Sequence, residues 1–145
     1  MDNNDEKYMR MALAEAKVAL AMDEIPIGCV VVCDGQVIGR GHNLTERLQD
    51  VTAHAEMQAI TAASETLGGK YLDRCTLYVT VEPCVMCAGA IAWAQLDRLV
   101  YGADDEKRGY RRYAPEALHP KTVVEHGVLS DDASLLMKFF FKKKR

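Results

Sequence analysis

The chain has 145 residues, of which 49% are hydrophobic and 27% are charged, and its formal net charge is −3. These values are typical of one globular domain, which we expect to span residues 1–145. No apolar run approaches the about 20 residues of a membrane span, the N-terminus is polar, and an odd five cysteines argue against a disulfide framework, so the sequence predicts a cytoplasmic protein.

Hydrophobic periodicity and turn residues divide the chain into helices and strands. A hairpin is predicted at Asp34-Gly35, between two apolar runs, and Gly68-Gly69 is predicted to end the second helix. The predicted elements, in chain order, are an amphipathic helix over 5–22, a hairpin within 27–41, a polar loop over 43–51, a helix over 53–67, a buried strand over 75–82, a helix over 83–95, a short strand over 98–103, a weaker strand over 123–129 and a closing helix over 131–143. This order predicts an α/β domain in which helices cover the faces of a mixed sheet.

The second predicted helix opens with a polar pair, His54 and Glu56, inside the otherwise apolar stretch TAHAEMQAI. On a regular helix, side chains two residues apart point about 200° away from each other. If both serve one site, His54 must therefore lie at the helix cap, where the backbone is not yet helical. Thr52, just before it, is predicted as the N-cap.

The segment EPCVMC places Cys84 and Cys87 at the start of the third predicted helix, on one face. The free N–H groups and the positive dipole end at a helix N-terminus lower the pKa of a thiol, which suits thiolate ligands of a metal. With His54 as a third ligand, such a nitrogen and sulfur set leaves one coordination position open, as in catalytic zinc sites. Glu56 is then the predicted base beside the water on the metal.

Two other interpretations of the Cys-x-x-Cys pair stay open. The pair also fits a thioredoxin-like redox site, although the His-x-Glu motif favours a metal. A purely structural zinc would usually have a fourth protein ligand, which no pattern in the sequence supplies. The remaining cysteines, Cys29, Cys33 and Cys75, are predicted to be small buried hydrophobic residues.

His-Ala-Glu followed by Pro-Cys-x-x-Cys resembles the signature of the zinc-dependent cytidine deaminase superfamily. The segments IPIGCVVV, Gly41-His42-Asn43, TLYVTVEPCVMCAGAI and LVYGADDEKRG look like those of the bacterial tRNA adenosine deaminases in order and spacing, over residues 25–109. The resemblance implies a three-layer α/β/α sandwich with a five-stranded mixed sheet (cytidine deaminase-like) and one zinc ion per subunit. It also implies a homodimer with the third helix, including Trp93, near the interface.

The same resemblance implies roles for individual residues beside the three metal ligands and the base. Asn43 would hydrogen-bond the purine, and the backbone N–H of Ala55 would steady the attacking oxygen. Asp105 and Lys107 match an Asp-x-Lys motif on a loop that borders the nucleic-acid strand.

The C-terminal quarter is basic, whereas the rest of the chain is acidic. Residues 107–145 hold 10 Lys and Arg against 4 Asp and Glu, and residues 1–106 hold 8 against 17. Cations interleaved with tyrosines suit single-stranded RNA, although a solvated surface gives the same charge pattern. The candidate RNA-contacting residues are Arg108, Tyr110, Arg111, Arg112, Lys142, Lys143, Lys144 and Arg145.

We interpret the sequence as a zinc-dependent hydrolase that converts adenosine to inosine at the wobble position of a tRNA anticodon loop. The first alternative is a deaminase of a free nucleobase, guanine or cytosine, which would need the pocket but no RNA surface. The second is a catalytically silent RNA-binding module. Glu56 argues against the silent module, since a scaffold without catalysis has no need of the base.

Overall fold

The computed structural model describes residues 3–144 and confirms the α/β architecture. The helices are α1 (Asn3–Ala21), α2 (Ala55–Leu67), α3 (Val85–Ala94), α4 (Tyr110–Tyr113) and α5 (Ser130–Lys143). The strands are β1 (Gly28–Cys33), β2 (Gln36–His42), β3 (Cys75–Val81), β4 (Arg98–Ala103) and β5 (Val123–His126). Within the described residues, every helix is too short or too polar to cross a membrane.

The five strands form one mixed sheet in the order β2-β1-β3-β4-β5. β1 is antiparallel to both neighbours, whereas β3, β4 and β5 are parallel to one another. The predicted hairpin is confirmed, with positive φ at Asp34 (51°) and Gly35 (75°), as a tight turn between twisted strands requires. Since β2, β3 and β4 run in one direction, their carboxyl ends meet at one edge of the sheet.

Helices cover both faces of the sheet. One face packs against α2 and α3 through small or branched side chains such as Ala59 and Ile91. The other face packs against α1 through Met9 and against α5 through Ala133. The implied three-layer α/β/α sandwich is therefore confirmed.

Two predicted helix starts are corrected. α2 begins after His54, which is its N-cap, and the Thr52 hydroxyl instead donates to Asp50 at 2.7 Å. α3 begins after Cys84, so Pro83 precedes the helix instead of lying in its first turn. No side chain caps either helix: the Thr52 hydroxyl bonds to Asp50 in its own loop, and the Cys84 sulfur faces the His54 ring instead of the start of α3.

Gly41 lets the end of β2 lie directly against the start of α2. A Cβ atom at this position would overlap the backbone carbonyl oxygen of Ala55. Only glycine permits this approach, because every other residue carries a Cβ. Next to this contact the Leu44 N–H donates to the Ala53 carbonyl at 2.9 Å, so the residues just after β2 lie against those just before α2.

A buried carboxylate ties α1 to three strands. Asp5, whose side chain is 0% exposed, accepts hydrogen bonds from the Tyr78 hydroxyl (2.7 Å) and from both terminal nitrogens of Arg98 (2.8 and 2.6 Å). Arg98 also pairs with Glu125 of β5 at 2.9 Å. The Arg98 guanidinium holds the pKa of Asp5 below its usual range.

Replacing Asp5 with Asn should lower the free energy of unfolding at pH 7 by about 2–3 kcal/mol, the worth of a buried hydrogen bond to a charged group. A carboxyl group whose pKa is lowered on folding stabilises above its unfolded pKa, and this stabilisation is lost as the pH falls through the folded value. The stabilities of wild type and variant should therefore converge below about pH 4. Urea unfolding at pH 7 and at acid pH measures both quantities.

The matched control is Glu6→Gln, which removes the neighbouring exposed pair with Arg10. Such a pair is worth about 0.3–0.5 kcal/mol. Equal destabilisation by the two substitutions would contradict the role given to Asp5.

Candidate active site

Three loops meet at the sheet edge formed by the carboxyl ends of β2, β3 and β4. They cover residues 43–54, 82–84 and 104–109. Backbone hydrogen bonds fix them to the sheet: the Asn43 N–H donates to the Ile27 carbonyl at 3.2 Å, and the Glu82 N–H donates to the Ala103 carbonyl at 2.8 Å. The loops therefore carry the residues that the sequence predicted for one site.

His54, Cys84 and Cys87 come together at this edge. The Nδ1 atom of His54 lies 3.6 Å from the Cys84 sulfur and 3.5 Å from the Cys87 sulfur. His54 (φ −74°, ψ 158°) and Cys84 (φ −73°, ψ 174°) are both extended N-cap residues, so each side chain leaves its helix toward the other. The prediction that His54 lies outside the regular helix is confirmed.

The spacing of the three side chains fits a tetrahedral metal ion. Ligand atoms from all three lie within 4.8 Å of one another. With Zn–S about 2.3 Å and Zn–N about 2.0 Å, tetrahedral geometry requires an N-to-S separation of about 3.5 Å. The observed separations of 3.5 and 3.6 Å meet this requirement. Within residues 3–144, no further His, Cys, Asp or Glu belongs to this group, which leaves a fourth position open.

The side chains of His54, Cys84 and Cys87 share protons through hydrogen bonds. A hydrogen bond from the Cys87 thiol, then one from the His54 ring, lower the pKa of Cys84 to about 4. The same Cys84 thiolate, together with burial, raises the pKa of Cys87, and its hydrogen bond raises the pKa of His54. The site thus favours the thiolate form of Cys84, with the His54 ring as a hydrogen-bond partner, and a bound metal would replace the shared protons.

Glu56 lies in the first turn of α2 and is 4% exposed. Burial, reinforced by the nearby Cys84 thiolate, raises the pKa of its carboxyl group to about 7. A group with a pKa near neutrality can both accept and release a proton at physiological pH, as a general acid–base catalyst must. Glu56 is therefore suited to the role predicted for it.

A second buried carboxylate, Glu24, holds the loop that carries Asn43. It accepts hydrogen bonds from the Asn43 side chain (3.4 Å) and from the N–H groups of Glu46 (3.1 Å) and Arg47 (2.7 Å). The Asn43 amide also donates to the Thr45 hydroxyl at 3.3 Å. These bonds fix the orientation of the Asn43 amide, which is 5% exposed.

An open groove on this loop reaches one of the predicted metal ligands, His54. It is lined by Thr45, Glu46, Gln49, Asp50, Val51 and His54. Ala55 is the first residue of α2, where backbone N–H groups lack intrahelical acceptors. Its N–H is thus available to an oxygen near the metal ligands.

Asp105 shapes the loop after β4. Its carboxylate accepts hydrogen bonds from the N–H groups of Lys107 (3.1 Å) and Arg108 (3.0 Å), and its own N–H donates to Glu82 at 3.0 Å. The side chains of Lys107 and Arg108 are exposed. The Asp-x-Lys motif is therefore a turn with outward-facing cations.

The segment after Gly109 forms the short helix α4, in which some side chains are buried and others are exposed. Tyr110 is 3% exposed and packs in the hydrophobic core, so it offers no face for stacking a base, contrary to prediction. Tyr113 is 63% exposed and carries the Arg112 guanidinium over its ring. Arg111 is engaged by carboxylates, Glu82 at 3.3 Å and Asp104 at 3.0 Å.

The basic tail lies near the end of α1. Lys144 pairs with Asp23 at 2.6 Å, and Lys143 lies 3.9 Å from the same carboxylate. Asp23 immediately precedes Glu24, which holds the Asn43 loop. Lys143 and Lys144 are thereby placed beside the turn that carries Glu24, and Lys142 is exposed next to them in the chain, whereas Arg145 lies outside the described residues.

Sequence reasoning missed Glu24 and Glu82, the two buried carboxylates that hold the loops. A signal for Glu82 was present, because an acid that directly follows a buried strand and precedes a proline has little room to reach solvent. Glu24 lies in a turn, MDEIP, and its burial depends on a loop residue 22 positions further on. No local pattern marks such a residue.

The His-x-Glu and Pro-Cys-x-x-Cys motifs, brought together at the edge of a three-layer sandwich, define the class of hydrolytic deaminases. A family model described as MafB19-like deaminase matches residues 3–145, and the chain belongs to this family.

Known proteins of similar sequence or structure include three that bear on function. The tRNA-specific adenosine deaminase of Streptococcus pyogenes serotype M18 is 44% identical over 143 residues, which cover 95% of this chain and 90% of that protein. A structure from a study of A-to-I editing by tRNA:A34 deaminases at the wobble position of transfer RNA has a TM-score of 0.84 and 44% identity, covering 90% of this chain and 98% of that one. The guanine deaminase from Nitrosomonas europaea has a TM-score of 0.83 at 26% identity, covering 93% and 83%.

Proposed function

We propose that this protein converts adenosine to inosine at the wobble position of a tRNA anticodon loop, in the cytoplasm. One observation carries the proposal: the His54, Glu56, Cys84 and Cys87 constellation stands in a chain that is 44% identical, over 95% of its length, to a tRNA-specific adenosine deaminase. The reaction replaces the amino group of adenine with oxygen from water and releases ammonia.

The residues of the site divide the chemistry between them. His54, Cys84 and Cys87 would hold one zinc ion, which when bound supplies Lewis-acid activation of a water molecule. Glu56 accepts a proton from the attacking water and delivers it to the base, so that the amino group leaves as ammonia. Asn43 orients the purine through its side-chain amide, and the Ala55 N–H stabilises the oxygen as it attacks.

Replacing Cys84 or Cys87 with Ala should abolish tight zinc binding, because each thiolate is one of three protein ligands. Glu56→Ala should keep one zinc per subunit and the fold, and should lower turnover by about 10²-fold or more, the scale of a general acid–base contribution. Metal analysis, circular dichroism and ammonia release measure these properties. Zinc loss in the Glu56 variant, or near-normal turnover, would contradict the assigned roles.

We further propose a homodimer formed through the outer face of α3. This helix exposes Val85 (40%), Met86 (36%) and Trp93 (84%), which share one side of it. Large apolar side chains grouped on a surface are typical of subunit interfaces.

Sedimentation at micromolar concentration should give a dimer, and Trp93→Asp should shift it toward monomer, because the substitution places a charge inside an apolar contact. Leu48→Asp changes a side chain that is also exposed, at 54%, but lies on another surface. It should leave the dimer intact. A monomeric wild type would refute the proposed assembly.

An exposed basic surface supports the RNA substrate. Lys107, Arg108 and Arg112 project from the loop and helix after β4, and Lys142, Lys143 and Lys144 end α5. Structural likeness to a guanine deaminase favours the second candidate function, deamination of a free base. The two candidates differ in what they require, because a free base fills the pocket whereas an anticodon loop also needs contacts along its backbone.

Neutralising Lys107, Arg108 and Arg112 together should weaken binding of an anticodon stem-loop and flatten its salt dependence. Each lost phosphate contact should lower the slope of log K against log salt by about 0.7–0.9. Binding titrations at several salt concentrations test this, alongside ammonia release from the stem-loop, free guanine and free cytosine.

The wild type should release ammonia from the stem-loop. Release from guanine or cytosine but not from the stem-loop would establish the second candidate function. Full stem-loop affinity in the neutralised variant would remove the proposed RNA surface while leaving the deaminase chemistry standing.

A further inference from the structure

Within residues 3–144, Arg111 differs from its neighbours Lys107, Arg108 and Arg112 because two carboxylates pair with its charge. Its Nη2 atom lies 3.3 Å from a Glu82 oxygen and 3.0 Å from an Asp104 oxygen. Its guanidinium carbon lies 5.6 Å from the centre of the Tyr101 ring, and the side chain is 43% exposed. Two carboxylates and an aromatic face thus hold this guanidinium against the protein.

Glu82 holds the loop after β4 in place through hydrogen bonds. Its side chain is 2% exposed and accepts hydrogen bonds from the Asp105 N–H (3.0 Å), the Arg111 N–H (3.2 Å) and the Arg111 guanidinium (3.3 Å). A Cβ atom at Gly109 would overlap its carboxylate, so the loop wraps closely around it. The Tyr110 N–H donates to the carbonyl of Pro83, the residue that follows Glu82, at 2.9 Å.

These hydrogen bonds connect the loop after β4 with the residues before Cys84. Glu82 lies two residues before Cys84, a predicted metal ligand, and its partners begin and end the loop that carries Lys107 and Arg108. A buried carboxylate that loses its cationic partner is left with an uncompensated charge, which destabilises the arrangement around it. The loop would then have to be ordered at the moment of binding, which lowers affinity.

We propose that Arg111 and Glu82 are positioning residues: together they hold the loop over residues 104–109 against the loop over residues 82–84, which contains the predicted metal ligand Cys84, so that the cations of the first loop are preorganised for RNA. Arg111 acts through this ion pair and contributes no phosphate contact. The RNA part of this proposal rests on the proposed function, whereas the ordering of the loop does not.

Arg112 is the matched control because it is the neighbouring arginine but faces solvent. Its Nη1 donates to the carbonyl oxygen of Glu106 at 3.3 Å, and within residues 3–144 no carboxylate forms an ion pair with it. A phosphate-contacting arginine releases counterions when it binds RNA, whereas an arginine held by carboxylates does not. The two arginines should therefore differ in salt dependence and not merely in affinity.

The first measurement is stem-loop binding by zinc-loaded protein at several salt concentrations. Arg112→Ala should lower the slope of log K against log salt by about 0.7–0.9. Arg111→Ala should keep the wild-type slope and weaken binding about tenfold, the scale of one lost charge-assisted hydrogen bond. It should raise KM for the stem-loop while kcat stays within about twofold, since uniform binding is what is lost. A slope lowered as much as in Arg112→Ala would overturn the proposal.

The second measurement is hydrogen exchange at the amides of Asp105 and Arg111, which bond to Glu82. Exchange in the free protein should be faster in Arg111→Ala and Glu82→Gln, and unchanged in Arg112→Ala. Unchanged protection in Arg111→Ala overturns the positioning role, even if Glu82→Gln fails to fold. If wild type does not bind the stem-loop, the proposed function fails, and the exchange result still decides whether Arg111 orders the loop.

Discussion

The site depends on the convergence of two helix N-termini. α2 and α3 both start at the edge where β2, β3 and β4 end, and the cap residues His54 and Cys84 face each other there. The positive ends of two helix dipoles thereby meet around a cluster of thiols. This arrangement favours the thiolate form of Cys84 and provides the backbone N–H of Ala55, so the electrostatics of the site follow from how the chain leaves the sheet.

The convergence requires that the helices pack very closely on the sheet. The contact of Gly41 with the Ala55 carbonyl shows the requirement on one side, where no Cβ can be accommodated. At the second helix, α3 presents Ala88 and Ile91 to the core, and Ala88 is small enough for a close approach to the sheet. Small residues at these contacts therefore bear on how His54 and Cys84 approach each other, although they carry no chemistry.

The grouping of His54, Cys84 and Cys87 near Glu56 was predictable because the chemistry proposed for them restricts both residue type and spacing. His54 and Glu56 could serve one site only if a helix began between them, and the structure starts α2 at Ala55. The strands and most helix bounds were predictable for a related reason, since apolar periodicity and turn residues act locally.

The supporting contacts were not predictable because they join distant parts of the chain. Asp5 and its partner Arg98 are 93 positions apart in the sequence, and Arg111 and its partner Glu82 are 29 positions apart. Tyr110 was assigned to the surface because it stands among cations, but one helical turn directs it inward. Tyrosine has both an apolar ring and a polar tip, so its sequence neighbours do not decide which side it takes.

The burial of carboxylates also changes the meaning of the charge distribution. The acidic surplus of residues 1–106 includes Asp5, Glu24, Glu56 and Glu82, all of which are buried. Three of them are held by hydrogen bonds within the protein and do not face solvent as free charges. The surface of this part is therefore less acidic than its composition suggests, and the basic surface near the site is opposed by fewer exposed acids.

The ion pair between Asp5 and Arg98 has a consequence for synthesis on the ribosome. α1 is made first, but its partner on β4 is made 93 residues later. At about 5–20 residues per second, this interval is roughly 5–20 s. During that time Met9 and Ala12, which are fully buried in the finished protein, can pack against Val30 and Val32 of β1 but not yet against Val100 of β4. The apolar face of this helix is therefore completed only when the second half of the sheet has emerged from the ribosome.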